Sequence, residues 1–305
     1  MKRSIALGAA AGLLLLTIST AQADEVRHAP WQGQVQAGDM PELLRNLRAL
    51  TDQAERDKAA NPVFLADLRA MTGEYENRVR WPVRLLYDDF RDGEFNSNPA
   101  WTVVDGDWRI DSRGGSPVLF SRVRYRGGSN QASNSGNAAD LVAGALGAFL
   151  NQQNGQGQQN QQRRDGPASI LVPVAMSDQF FIRIEMTSRE GVGQFNFGPY
   201  AGRQAERSYQ VTYAPGAANG LILSRVSDRG SQVLGMSRGP ISLEDNRSHL
   251  VELRRGPAGR MTVALDGRPI IEATDVGIRR PFNGFLMVNS GGSYGIRSVA
   301  INGTN

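Results

Sequence analysis

The segment IEMTSRE contains the nearest pair of carboxylates that could act together on one substrate. Glu185 and Glu190 stand five residues apart, with no acidic residue between them. Hydrolysis of a glycosidic bond needs two carboxyl groups that face the same sugar, one as acid and one as nucleophile or base. Because side chains alternate along a strand, an odd separation puts these two on opposite faces. The spacing therefore argues against this chemistry.

The histidines and the aspartate cluster offer two other kinds of site. His28 stands alone near the N-terminus, and His249 opens an apolar run, where a structural role and an acid–base role both stay open. No His/Cys/Asp cluster has the spacing of a transition-metal site. Asp88, Asp89 and Asp92 could ligate calcium, which requires several oxygens, or could simply form an acidic turn. The sequence predicts no cofactor, with calcium as the one open possibility.

Polar side chains on the outward faces of predicted strands suggest binding rather than catalysis. Sugar sites combine planar polar side chains with an aromatic ring. The candidate ligand-binding residues are Arg183, Glu185, Gln194, Asn196, Tyr209, Gln210 and Arg254. Tyr200 is a further stacking candidate. The alternative interpretation is that Arg183–Glu185 and Glu252–Arg254 are plain ion pairs on a solvated sheet.

Residues 1–23 have the three parts of a secretory signal peptide. Lys2 and Arg3 precede an apolar run from Ile5 to Ile18, and cleavage is expected after Ala23. The apolar run is too short for a comfortable bilayer span. We therefore expect a periplasmic or extracellular protein without a membrane span. With no cysteine in the sequence, no disulfide can form.

The charge of the mature chain is small. Without Lys2 and Arg3, 32 of the 34 basic residues remain against 30 acidic ones, which gives a net charge of +2. No run of basic residues with interleaved aromatic residues is present, which argues against nucleic acid as a partner.

Two helices are predicted after a flexible leader at residues 24–40. Within the helical segment at residues 41–80, Pro41 suits a first helical position, and apolar residues recur at helical spacing on both sides of Asn61. Two interpretations stay open: a helical hairpin that packs on the following domain, or a pairing surface for another protein or a second copy of the chain.

Residues 81–305 follow a different pattern, with short alternating runs separated by Gly, Asn, Asp and Ser. Many short strands at regular spacing are typical of an antiparallel sandwich or barrel. The clearest hairpin signal is LDGRPI, where Asp266-Gly267 joins two apolar runs. The glycines of GVGQFNFG also lie between strand-like runs and predict a second hairpin.

A low-complexity insertion at residues 126–164 interrupts the strand pattern. Its Gln/Asn/Gly-rich parts cannot bury enough apolar surface to offset the entropy of ordering, so we expect a disordered loop. Ala138–Leu150 could form a short apolar helix that docks on the protein, on a partner or on a membrane surface.

The stretch DDFRDGEFNSNPAWTVVDGDWRID resembles the opening strands of concanavalin A-like jelly-roll domains, including bacterial laminin-G-like and 3-keto-disaccharide-hydrolase-like proteins. The resemblance lies in the acidic-Phe start, the strand at Trp101 and the G-x-W at Trp108. SHLVELRRGPAGRMTVALDG and FNGFLMVNSGGSYGIRSVAING are similar to the later hairpins and closing strands. Together these pieces span about Leu85 to Gly303. Both tryptophans suit core packing as well as a stacking role.

The resemblance implies a mainly β protein, an antiparallel jelly-roll sandwich preceded by a short helical hairpin. The expected function is an exported, non-catalytic module that binds a glycan or an envelope protein. Two alternatives remain: a glycoside hydrolase or lyase resembling the 3-keto-disaccharide hydrolases, and a structural assembly protein that forms a homo-oligomer through residues 41–80. The fold hosts lectins, hydrolases, lyases and plain interaction modules, so it selects none of the three.

Overall fold

The computed structural model describes residues 40–124, 166–202 and 205–304. The predicted signal peptide, the leader up to residue 39 and the predicted insertion with Ala138–Leu150 lie outside the described residues. In the described part of the chain, neither helix combines the length and apolarity needed to cross a bilayer.

Two helices precede the strands, α1 (Met40–Arg56) and α2 (Pro62–Arg80). Asn61 caps α2, because its Oδ1 accepts a hydrogen bond from the backbone N–H of Val63 at 2.8 Å. Arg69 of α2 donates to Asp52 and Glu55 of α1, both at 2.6 Å, which joins the two helices. This confirms the predicted helical segment before the sheets. The chain divides into two compact units. The first ends at Thr72 and the second begins at Gly73, so the boundary lies within α2.

Fifteen strands follow. In chain order they are β1 (Val83–Asp88), β2 (Thr102–Asp105), β3 (Arg109–Asp111), β4 (Val118–Val123), β5 (Ala168–Met176), β6 (Phe180–Ser188), β7 (Phe195–Ala201), β8 (Arg207–Tyr213), β9 (Leu221–Ser227), β10 (Gly230–Met236), β11 (His249–Arg255), β12 (Arg260–Leu265), β13 (Arg268–Thr274), β14 (Phe282–Asn289) and β15 (Gly292–Gly303).

The strands form two antiparallel sheets. Sheet A has the order β13-β12-β11-β6-β15-β4-β3, and β1 also pairs with β15. Sheet B has the order β10-β9-β8-β7-β14-β5-β2. Consecutive strands pair toward the edges of each sheet, whereas the central pairs, such as β6 with β15 and β7 with β14, join segments that are distant in sequence. The two antiparallel sheets confirm the predicted mainly β sandwich.

The hydrophobic core lies between the two sheets and follows the predicted alternation. In β6 the buried core residues are Phe180, Ile182, Ile184 and Met186, while Arg183 and Glu185 point outward. Aromatic rings from opposite sheets meet in this layer. Phe180 of sheet A contacts Phe282 of sheet B edge-on, with ring centroids 5.4 Å apart. Trp101 and Trp108 are also core residues, 3% and 5% exposed, so they are not available as stacking platforms.

One predicted hairpin is confirmed and one is wrong. Asp266 and Gly267 join β12 to β13 with φ angles of 49° and 76°, the left-handed values that a tight two-residue turn requires. GVGQFNFG does not form a hairpin, because β6 belongs to sheet A and β7 belongs to sheet B. The glycines instead lie in a crossing between layers, where Gly193 packs against the backbone of Gly291.

Candidate functional site

The seven predicted binding residues lie in four separate places. Arg183, Glu185 and Arg254 lie on the outer face of sheet A. Asn196 and Gln210 lie on the outer face of sheet B. Tyr209 lies in the core, and Gln194 lies in the crossing that leads into β7, where its backbone bonds with Gly291 and Ser290. The structure therefore brings together two subsets of the predicted residues, one on each outer face.

The outer face of sheet A is charged, and most of its charges are paired. Arg254 donates a hydrogen bond to Glu252 at 2.7 Å, so one of the two ion pairs of the alternative interpretation forms. The other predicted pair does not form, because Glu185 instead binds Arg297, at 3.2 Å. Arg183 forms no ion pair with any residue that the structure describes. Its guanidinium lies 5.2 Å from the ring centre of Phe181.

Tyr209 is a core residue and takes no part in either outer face. Its hydroxyl donates to Asp275 Oδ1 at 2.6 Å and accepts from the backbone N–H of Ile278 at 3.2 Å. Burial, reinforced by the bond to Asp275, raises the pKa of Tyr209 to about 12. The ring is fully buried, so Tyr209 is not available for stacking on a ligand.

The outer face of sheet B is polar but uncharged. On neighbouring strands Asn196 lies opposite Thr212, and Gln210 lies opposite Ser224. Thr212 Oγ1 donates to Asn196 Oδ1 at 2.5 Å. The outward residues of the sheet between β5 and β9 are Ser169, Leu171, Asn196, Gly198, Tyr200, Ser208, Gln210, Thr212, Ile222, Ser224, Val226, Leu286 and Val288. None of these carries a charge, in contrast to sheet A.

Several polar atoms on this face are shielded from solvent and lack partners. The atoms are Asn196 Nδ2, Gln210 Nε2 and Oε1, and the hydroxyls of Ser208, Ser224 and Ser231. They have no hydrogen-bond partner in the part of the chain that the structure describes. A shielded polar group without a partner costs about 1–3 kcal/mol, and native proteins leave few of them. The concentration of such atoms on one face makes it the candidate site for a polar ligand.

Two glycines shape the surface beside Gln210. Gly198 leaves a gap in the row of side chains, and a Cβ there would lie 1.9 Å from the backbone oxygen of Tyr209. The Tyr200 ring lies directly over Gly284, where a Cβ would come within 2.4 Å of the ring. Burial raises the pKa of Tyr200, so its hydroxyl stays protonated. The Tyr200 ring leans toward β14, whereas Gln210 lies on β8, on the other side of β7, and Tyr200 is itself only 7% exposed.

An open groove borders the same sheet. It has a volume of about 580 Å³ and runs along β10 and β13, the edge strands of the two sheets. The lining residues are Gly235, Met236, Arg238, Pro269, Ile270, Ile271 and Glu272. Glu272 also lines a second groove on sheet A, with Arg260 and Thr262. Each groove contains one carboxylate, whereas the two-carboxylate mechanism needs a pair.

The carboxylates that were considered for catalysis or for calcium binding all have partners in the structure. Glu190 lies beyond the end of β6 and binds Arg122 at 3.0 Å. Both oxygens of Asp88 accept hydrogen bonds at 2.8 Å, from the backbone of Phe90 and from Trp101 Nε1. Asp89 and Asp92 accept from backbone N–H groups two residues ahead, as in acidic turns. The described residues contain no cluster of three or more His, Cys, Asp or Glu that could hold a metal ion.

His249 links two loops at one end of sheet A. Its Nδ1 lies 2.8 Å from Asp266, in the β12–β13 turn, and its Nε2 lies 2.9 Å from Asp245. Burial lowers the pKa of His249, but the two hydrogen-bonded aspartates outweigh this effect and raise it. Both ring nitrogens are occupied, which favours the structural role over acid–base work.

Alternation along β8 already predicts that Ser208 shares a face with Gln210, but Ser224 and Ser231 were missed by the reasoning from sequence. A single serine on a strand is too common to be a signal. Only the cross-strand register, which places Ser224 opposite Gln210 and Ser231 opposite Val226, shows that they share a face with the predicted residues.

No family model matches the chain, and no curated protein matches it. Solved structures that match include the carbohydrate-binding module CBM66 from Bacillus subtilis. It is 15% identical with a TM-score of 0.45, and the match covers 68% of this chain and 99% of the module. A Bacillus subtilis protein of unknown function with a galectin-like fold is 12% identical with a TM-score of 0.47, covering 73% of this chain and 96% of that one.

An enzyme is among the matched structures as well. The GH16 protein of a Bacteroides ovatus mixed-linkage glucan locus, solved with a product, is 11% identical with a TM-score of 0.47. The match covers 71% of this chain and 99% of that chain. All three of these matches have TM-scores below 0.5 and identities of 15% or less. At these identities they identify no specific family, ligand or activity.

Proposed function

We propose that this chain is an exported, non-catalytic module that binds a neutral glycan through the outer face of sheet B. The observation that carries the proposal is the set of shielded, unpartnered amide and hydroxyl groups around Gln210. Sugar hydroxyls both donate and accept, so they can pair with amide and hydroxyl groups alike. The absence of charge on the described part of this face favours an uncharged glycan over an acidic one.

The neighbouring apolar surface supports a sugar ligand. Tyr200, Leu286 and Val288 form a small apolar cluster on the same face as Gln210. A sugar ring presents apolar C–H groups and polar hydroxyls at once, which suits a mixed surface of this kind. Because the polar atoms are shielded, a ligand must displace the groups that shield them, and we expect slow association.

A glycan array of neutral and acidic saccharides, run with and without calcium, tests the proposal. We expect binding to neutral glycans without cleavage products. Replacement of Gln210 by alanine removes both amide contacts, and each neutral hydrogen bond contributes about 0.5–1.5 kcal/mol. The Gln210→Ala variant should therefore bind about tenfold more weakly in calorimetry.

Glu185→Gln provides the matched control, because Glu185 lies on the outer face of sheet A and the substitution keeps its shape. Its affinity should equal that of the unmodified protein. If Glu185→Gln weakens binding and Gln210→Ala does not, the ligand lies on sheet A and the proposal is wrong. Release of shortened sugars would instead establish a glycoside hydrolase.

Assembly through the helices is a second candidate function. Val63, Phe64 and Met71 are apolar residues of α2 that are at least half exposed. Exposed apolar clusters often mark protein contacts. If a second copy of the chain pairs here, light scattering should give a dimer mass, and Phe64→Lys with Met71→Lys should return a monomer. A monomer mass for the unmodified protein would contradict this function and leave glycan binding unaffected.

A further inference from the structure

A small cavity lies where the end of α2 meets the outer face of sheet A. Its volume is about 20 Å³, enough for one water molecule or one single-atom ion. The lining residues are Asn77, Arg78, Trp81, Phe181, Arg183 and Asn302. All six belong to the unit that begins at Gly73. The Trp81 ring packs on Phe181, with centroids 5.4 Å apart.

Two hydrogen-bond donors at this cavity have no acceptor. The Trp81 side chain is buried, and its indole Nε1 has no partner among the described residues. Arg183 Nε is likewise shielded and unpartnered. A shielded N–H without an acceptor is costly, and more so when the donor is charged. Two donors therefore face this cavity without an acceptor, although the amide groups of Asn77 and Asn302 also line it.

The cavity also lacks a negative charge. Arg183 forms no ion pair with any described residue, whereas its outer-face neighbour Arg254 pairs with Glu252. Both guanidinium groups lie over the same ring, 5.2 Å and 5.0 Å from the centre of Phe181. None of the six lining residues is acidic. Glu252 stands opposite Arg183 on the neighbouring strand but pairs with Arg254, so one carboxylate faces two guanidinium groups, and the excess positive charge favours an anion.

We propose that this cavity binds a single-atom anion, chloride under ordinary conditions, between Arg183 and the indole N–H of Trp81. A water molecule would accept the hydrogen bonds but would leave the charge of Arg183 uncompensated. The cavity volume of about 20 Å³ fits a single-atom anion. Bound chloride ties Trp81, which directly follows α2, to sheet A.

Thermal unfolding at constant ionic strength, with chloride exchanged for gluconate, tests the proposal. A ligand that binds only the folded state stabilises it in proportion to the logarithm of its concentration. At chloride concentrations about tenfold above the dissociation constant, the melting temperature should rise by roughly 3–5 °C. Arg183→Gln removes the charge and Trp81→Phe removes the N–H, so each should abolish most of the shift.

Arg109→Gln is the matched control. Arg109 also lies over a phenylalanine ring, 4.8 Å from Phe120, but it already pairs with Asp107 at 2.5 Å. This variant should keep the full chloride response. Equal responses in Arg109→Gln and Arg183→Gln would overturn the proposal.

Crystals of the unmodified protein grown in bromide give a direct readout that needs no variant. An anomalous peak between Trp81 and Arg183 is the expected result. The proposal is wrong if the cavity contains only water in bromide-grown crystals and the melting temperature does not change with the chloride concentration.

Discussion

Replacement of Arg255 by methionine should lower the free energy of unfolding by about 2–3 kcal/mol, as expected for the loss of hydrogen bonds from a buried charged donor. The Arg255 side chain is only 2% exposed. It donates to the backbone oxygens of Asp178, Asp275 and Ile278, the latter two at 3.2 and 3.4 Å. Methionine fills similar space but donates no hydrogen bond, so the buried carbonyl oxygen of Ile278 loses its side-chain partner.

The contacts of Arg255 explain why the effect should be large. Asp275 follows β13 of sheet A, and it also accepts hydrogen bonds from Tyr209 and Arg225 of sheet B. The guanidinium of Arg255 lies 5.4 Å from the centre of the Tyr209 ring. Arg255 therefore holds in place the segment through which the two sheets are joined at this end of the sandwich.

Denaturant titration measures this effect, and Arg297→Met serves as the control. Arg297 is 45% exposed and pairs with Glu185 on the surface of sheet A. An exposed pair contributes about 0–1 kcal/mol, so the control should be close to the unmodified protein. Similar losses in the two variants would refute the structural role assigned to Arg255.

Replacement of Asp88 by alanine should cost about 2–4 kcal/mol. The carboxylate accepts from Trp101 Nε1 and from the backbone N–H of Phe90, and hydrogen bonds to charged groups contribute about 1.5–3 kcal/mol each. Phe90 is fully buried with a φ of 55°, a left-handed value that Asp88 helps to hold. Urea titration measures the loss.

Chelation of calcium should leave the unfolding midpoint of the unmodified protein unchanged, because both carboxylate oxygens of Asp88 already accept hydrogen bonds from the protein.

The pH dependence of stability provides the second test of Asp88. Burial raises its pKa above the ordinary value of 3.8, despite opposing hydrogen bonds from Phe90 and Trp101. The folded state therefore binds this proton more tightly than the unfolded state. This tighter proton binding stabilises the folded state. The stabilisation is fully present below pH 3.8 and is lost as the pH rises through the pKa of Asp88 in the folded state. Asp88→Asn, which cannot titrate, should lack this component, and an unchanged slope would contradict it.

The strands that were easiest to predict have regular alternation and turn residues at their ends. In β6 and β8 every second side chain is apolar, and the pleat alone assigns those residues to one face. Asp266-Gly267 specifies its turn because only a few residues adopt positive φ without strain. By contrast, β10 was missed, since GSQVLGM is an edge strand with half-exposed residues and little alternation.

The candidate site was predicted only in part. Asn196 and Gln210 were named, and their residue types suit the proposed ligand, but the same set included Arg183 from the other sheet and Tyr209 from the core. Alternation tells which residues of one strand share a face. It does not tell which sheet the strand joins, because that depends on contacts between residues far apart in the chain.

The sequence by itself determined the helices before the sheets, the antiparallel sandwich and the inward faces of its main strands, because helical spacing, alternation and turn chemistry are local. Three features could be read only from the tertiary structure. GVGQFNFG crosses between the two sheets, Ser224 lies beside Gln210, and Trp81 and Arg183 line the same cavity. Each of these depends on cross-strand register or on packing between distant segments, which the two-residue period of a strand does not encode.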